Sequence, residues 1–300
     1  IDKNGRDRTA VCCLSSLNLE KYDEWKDDEV MINDVMRFLD NVLTDFIERA
    51  PEQFDDAKYS AEKERSVGLG VMGFHSYLQK HSIPLESVMS KAWNKKIFKH
   101  IQEHVDQASK DLADERGACP DAADYGYNER FSNKTAIAPT ASISIICGGA
   151  SPGVEPVAAN SYTHKTLSGS FNVRNRYLVE LLEKHGKNTD DVWSGITTNQ
   201  GSVSHLDFLT DLEKDVFKTA FELDQKWIIE LSGDRTPYIS QAQSINLFVP
   251  ADIHKRELHK IHFDAWKKGL KSLYYCRSKS IQRAENVNDT KATDVNANVY

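Results

Sequence analysis

Apolar residues along this chain recur with two different periods. The run Thr9-Ala-Val-Cys-Cys-Leu14, followed by Ser15-Ser16, predicts a buried strand. After the acidic stretch from Glu20 to Glu29, apolar side chains at Met31, Val35, Phe38, Leu39, Val42 and Phe46 repeat every three or four residues. That spacing predicts a core-facing helix, ended by Pro51. Trp93, Ile97, Ile101, Val105, Ala108 and Leu112 form a second helical stripe, stopped by Gly117 and Pro120. Further on, residues 179–183 predict a short helix beyond a mixed segment broken by Gly169, and residues 212–231 a long one closed by Ser232-Gly233. Residues 244–249 then predict a strand, 252–268 a helix capped by Gly269, and 271–276 a second strand. This βαβ order implies two parallel strands, a right-handed crossover and ligands near the carboxyl ends of the strands. From Ser278 the chain turns polar, so residues 1–280 are read as one structured unit and 281–300 as a mobile tail.

Two stretches do not obey either period. Arg65-Ser-Val-Gly-Leu-Gly-Val-Met-Gly73 has three glycines in six residues, which predicts close backbone contact or a turn, with a helix following to Gln79. Thr135 to Pro156 contains a short apolar run, Pro139-Thr140, small residues, and a glycine-rich loop closed by Glu155-Pro156. The small side chains after Pro139 leave main-chain N–H groups uncovered at a possible helix start, where a phosphate would be favoured. A strand followed by an ordinary Gly/Ser/Pro turn accounts for the same letters.

Composition narrows the classes. Three hundred residues with 40% hydrophobic and 28% charged content describe a soluble globular chain with enough length for a full core. No apolar run reaches the roughly 20 residues of a membrane helix. The net charge of -7 argues against nucleic acid as a partner. The five cysteines, Cys12, Cys13, Cys119, Cys147 and Cys276, have neither zinc-knuckle nor disulfide-framework spacing, which suits a reducing, cytoplasmic setting. His100-Ile-Gln-Glu-His104 has the H-x-x-E-H zinc pattern, but it lies beside the apolar stripe among Lys95, Lys96 and Lys99, so it is read as a solvated face. His254, His259 and His262 are read as surface or capping residues.

Taken in order, Ala10-Val-Cys-Cys-Leu-Ser-Ser-Leu-Asn-Leu19, the R-x-x-G-L-G-x-x-G of 65–73, Arg116-Gly-Ala-Cys-Pro120, the 139–156 loop, Gln241-Ala-Gln-Ser-Ile-Asn246 and Gly269-Leu-Lys-Ser-Leu-Tyr-Tyr275 resemble the large subunit of class I ribonucleotide reductase. The resemblance extends to about residue 284 and concerns the carboxyl-terminal part of that subunit. It implies an α/β fold, the carboxyl-terminal part of a ten-stranded α/β barrel built from two antiparallel halves. It also implies thiyl-radical reduction of a ribonucleoside diphosphate. Cys12 matches one of the two reducing cysteines, while Cys13, its neighbour, points the other way and is structural. Pro139, Thr140, Ala141, Ser142, Ile143 and Ser144 match the diphosphate-binding turn, although the family often carries polar residues near Ile143 and Ile145. Tyr274 and Tyr275 match a radical-transfer pair at a strand's carboxyl end, with Tyr274 toward the thiyl cysteine and Tyr275 toward the partner.

The family's Asn-x-Cys-x-Glu block, the second reducing cysteine and a tail cysteine pair are absent from this sequence. The implied partners are therefore an amino-terminal portion of the large subunit and a radical-generating small subunit carrying a metal-radical cofactor. No cofactor or metal is expected on this chain. A thiol reductant of thioredoxin or glutaredoxin type is expected, as is a dimer of the reconstituted large subunit. The competing readings are a cobalamin-dependent class II reductase, a zinc hydrolase using His100, Glu103 and His104, and a noncatalytic nucleotide-binding scaffold.

Overall fold

A computed structural model describes residues 1–166 and 169–278; the tail expected over 281–300 lies outside them. β1 (Leu14–Asn18) pairs in parallel with β2 (Gly68–Met72), Leu14 opposite Gly68 and Asn18 opposite Met72. Parallel bridges continue sideways from Leu69 to Thr135 and from Ile137 to Gln243. The chain beyond Gln243 runs into β5 (Leu247–Val249), which pairs in parallel with β6 (Cys276–Ser278). Five strand segments thus lie side by side in one direction: β1, β2, 135–137, 243–249 and β6. This arc is what one half of a two-halved ten-stranded barrel requires, and both its outer strands have an unpaired edge among the described residues.

The glycines of 65–73 explain why the strands can approach so closely. A Cβ on Gly68 would stand 2.4 Å from Leu14 Cδ2, and one on Gly70 2.2 Å from the Ala136 carbonyl oxygen. Behind the arc, the helices Met31–Arg49 and Val88–Arg116 join β1 and β2 in the main core. The predicted stripe at Ile97, Ile101, Val105, Ala108 and Leu112 is buried as read.

Several expectations change. Thr9 and Ala10 are exposed and only Cys13 of residues 9–13 is buried, because the ladder partner β2 begins opposite Leu14. The first long helix buries Ile32, Met36, Leu39 and Leu43, whereas Phe38 is 63% and Val42 42% exposed. Leu39 of the predicted stripe is in the core and Met31, Val35 and Phe46 pack partly buried against it, so the apolar band is wider than the buried face and periodicity did not separate Phe38 and Val42 from it. The long helix over 212–231 is two helices, Asp211–Val216 and Gln225–Arg235. The break comes where the Ala220 N–H bonds the Val157 carbonyl and Asp224 caps the second helix. Ser232-Gly233 consequently lies inside a helix rather than closing one. An antiparallel hairpin of β3 (Ser161–Thr166) and β4 (Gly169–Arg174) precedes the helix Arg176–Lys184, which contains the predicted 179–183.

The βαβ unit is present, with the helix at Lys255–Lys267 and His254 as its N-cap, its ring accepting from the Arg256 N–H. Its second strand starts later than predicted, at Cys276. Tyr274 and Tyr275 therefore precede a strand instead of ending one.

Candidate active site

The loop between the third and fourth strand segments is built by hydrogen bonds rather than by a helix. Thr140 adopts φ 53°, and its Oγ1 accepts from the Gly153 N–H at 2.7 Å. Ser144 is buried, its N–H bonds the Thr140 carbonyl at 3.0 Å, and its hydroxyl donates to the Ala141 carbonyl. These two side chains are thus spent on shaping the turn. What remains free among the described residues is the main chain, since the N–H groups of Ala141, Ser142 and Ile143 have no acceptor in the protein and all three residues are exposed. The helix that follows is a single turn, Ile143–Ile146, so the macrodipole anticipated for this spot contributes little. Three consecutive N–H groups without acceptors still suit an anion.

Beside this turn lies an open cleft of about 230 Å³ on the face bearing Leu14. Its lining includes Cys12, Pro139, Gln241, Ser244 and Tyr274, side chains contributed by widely separated parts of the sequence. Cys12 is exposed. Cys13 is buried with its thiol 3.7 Å from the Leu39 carbonyl, and burial pushes that thiol above its ordinary pKa. The two cysteines face opposite sides, as the alternation of an extended chain requires.

Tyr274 and Tyr275 lie side by side, with ring centroids 4.1 Å apart and a tilt of 52°. Both are about half exposed, and the hydrogen bond with Tyr275 pushes the Tyr274 phenol above its usual pKa. Tyr274 lines the cleft and Tyr275 does not. Their backbone is held by the fourth segment: Tyr274 N–H donates to the Ile245 carbonyl at 2.8 Å, and Tyr275 N–H to Asn246 Oδ1 at 3.0 Å.

The histidine pair forms no comparable centre. His100 Nδ1 is 3.0 Å from the Tyr22 hydroxyl, His104 Nδ1 donates to the His100 carbonyl, and Glu103 pairs with Lys99 on the surface. No group of three His, Cys, Asp or Glu side chains able to hold a metal occurs among the described residues. Burial pulls the His100 pKa down, with His104 adding to the effect.

Sequence reasoning missed two groups. Asp40, fully buried, accepts hydrogen bonds from Arg65, Arg116 and Arg130. Two of those arginines open recognised motifs, so the signal was present in the arginines but not in the aspartate they share. Glu155 and Asn246 are also buried and bonded to each other at 2.6 Å. They stand near the ends of the 139–156 loop and of the 241–246 segment.

Cys12, Pro139 and Tyr274, carried by separate segments of one parallel five-segment arc, thus share a single cleft. The chain belongs to the ribonucleotide reductase barrel-domain family, whose model matches residues 2–129 and 121–276. It is 52% identical over 284 residues to the ribonucleoside-diphosphate reductase large subunit of Invertebrate iridescent virus 6, covering 93% of this chain and 29% of that protein. The large subunit of Invertebrate iridescent virus 3 is 46% identical over 289 residues, with 95% and 46% covered. Among solved structures, the class Id ribonucleotide reductase alpha subunit of Actinobacillus ureae superposes with TM-score 0.85 and 41% identity, over 91% of this chain and 51% of that one. The chain thus spans about half or less of the length of these relatives.

Proposed function

We propose that the chain is the carboxyl-terminal portion of the catalytic barrel of a class I ribonucleoside-diphosphate reductase, and that it acts with a further segment of large subunit supplying the other half. The observation that carries this is the single cleft in which Cys12, Pro139 of the turn and Tyr274 meet. In this reading the main-chain N–H groups of Ala141, Ser142 and Ile143 bind the substrate diphosphate. Cys12 and a cysteine on the completing segment give up two electrons and two protons, forming a disulfide as the ribose 2′-hydroxyl leaves as water. Tyr275 and Tyr274 pass the radical inward from a small subunit to a thiyl cysteine on the completing segment. The metal-radical cofactor belongs to that small subunit, and a thioredoxin- or glutaredoxin-type protein restores the thiols. The reconstituted large subunit would act as a dimer in the cytoplasm. No helix among the described residues is long and apolar enough to cross a membrane.

The tyrosine pair favours this over a cobalamin enzyme, in which the radical arises at the active site and no relay is needed. The test is reconstitution with a cysteine-bearing amino-terminal segment and a small subunit. The complex should reduce a ribonucleoside diphosphate, Tyr274→Phe should abolish turnover while leaving assembly intact, and the chain alone should be inactive. Turnover by the chain alone would sink the shared-site reading. Nucleoside diphosphate binding that persists alongside an activity indifferent to Cys12→Ser would favour the scaffold.

A further inference from the structure

We propose that Glu155 and Asn246 are positioning residues for the tyrosine pair, forming a buried linkage that grips the Tyr275 main chain and tightens when Glu155 ionises. The role assigned to the pair rests on the relay reading above. Asn246, 2% exposed, donates through Nδ2 to Glu155 Oε1 at 2.6 Å and accepts from the Tyr275 N–H at 3.0 Å through Oδ1. On either side the ladder is fixed by main-chain bonds, Tyr274 N–H to Ile245 and Leu247 N–H to the Tyr275 carbonyl, both 2.8 Å. The Asn246 side chain thus replaces a backbone acceptor at one of the two residues whose phenol rings lie against each other.

An amide has one acceptor oxygen and one donor nitrogen, so its two neighbours decide which way it points. A carboxylate only accepts. With Glu155 ionised, Asn246 must turn its nitrogen toward Glu155 and its oxygen toward Tyr275. A protonated Glu155 can donate instead, and the turned-over amide then sets its nitrogen against the Tyr275 N–H, donor against donor.

The surroundings place this change in the working pH range. Burial pushes the Glu155 carboxyl up to about 7, against the Asn246 hydrogen bond and the charge of Arg277. Arg277, on β6, has its guanidinium 5.6 Å from the Tyr275 ring centroid, and its Nε is buried with no hydrogen-bond partner among the described residues. Arg235, at the end of the Gln225–Arg235 helix, lines the same cavity of about 10 Å³ as Glu155 and Asn246, room for one water. His75, from the helix Phe74–Lys80, bonds the Val157 N–H, and burial pulls it down to a pKa of about 3, so it stays neutral. The linkage therefore tightens as pH rises through about 7 and loosens as pH falls through it.

The experiment places 4-fluorophenylalanine at position 275 of the full chain, a reporter with no phenol to titrate, and follows its ¹⁹F resonance with pH. The wild-type background should show an inflection near 7, Glu155→Gln should remove it, and Arg277→Gln should move it upward. In the reconstituted reductase with natural tyrosines, kcat should fall as pH drops through about 7, and Glu155→Gln should flatten that limb with KM unchanged. Asn246→Ala should lower kcat about tenfold, the worth of one hydrogen bond. No inflection near pH 7 in the wild type, or one that survives Glu155→Gln or is unmoved in Arg277→Gln, overturns the proposal. An inflection that behaves as stated in a complex without turnover overturns the relay reading and leaves the linkage standing.

Discussion

Replacing Asp40 by Asn tests what holds in place the segment that carries Cys12 and Cys13 into β1. The carboxylate is fully buried and accepts from Arg65 Nε at 2.7 Å, Arg116 Nη1 at 2.8 Å, and Arg130 Nε and Nη2 at 2.9 and 3.2 Å. Its helix lies directly behind β1, where Cys13 approaches the Leu39 carbonyl next door. Asn keeps the volume but removes the charge, leaving three guanidiniums facing one another. Removing one partner of a buried, hydrogen-bonded ion cluster costs about 3–5 kcal/mol. At roughly 2–4 °C per kcal/mol for a chain of this size, Tm should fall by about 6–20 °C. The pH dependence gives a second handle. Burial pushes the Asp40 carboxyl up, but bonds from Arg130 and Arg116 and the charge of Arg65 hold it below the ordinary carboxylate value. A depressed folded-state pKa means the stabilisation is complete above the unfolded value near 4 and fades as pH falls through the folded one. Denaturant unfolding of wild type and variant should therefore differ most at neutral pH and converge in acid. A difference below about 1 kcal/mol at pH 7 would show that the arginines relax into solvent and that the cluster does not anchor the strand.

Other outcomes follow from the same geometry. Gly70→Ala should destabilise the chain by about 1–3 kcal/mol in the same unfolding assay, because its Cβ would meet the Ala136 carbonyl at 2.2 Å and backbone must move. A thiol reagent should label exposed Cys12, Cys147 and Cys276 in the native chain and reach Cys13 and Cys119 only on unfolding; early labelling of Cys13 would contradict its buried placement. Metal analysis should find no stoichiometric zinc, and His104→Gln should leave reductase turnover of the reconstituted complex unchanged, since both pattern histidines are engaged in local contacts.

The sequence by itself determined the elements with a single apolar face and the residues whose chemistry is fixed by type. The Val88–Arg116 helix, the βαβ order, the need for glycine at 68 and 70, and the candidates Cys12, Tyr274 and Tyr275 were all legible, because spacing and side-chain identity are local properties. Only the tertiary structure decided where the buried face of the Met31–Arg49 helix is centred, leaving Phe38 and Val42 outside, since its apolar band is wide and the choice depends on what packs against it. It likewise decided that Thr140 and Ser144 shape the turn after Pro139 while the N–H groups of 141–143 are left without an acceptor in the protein. The partners of Asp40 and of Glu155 lie 25–91 residues away in the chain, and a buried charge shows no period that a sequence can display. Cys12, Pro139 and Tyr274 meet only because parallel strands carry distant segments to one cleft.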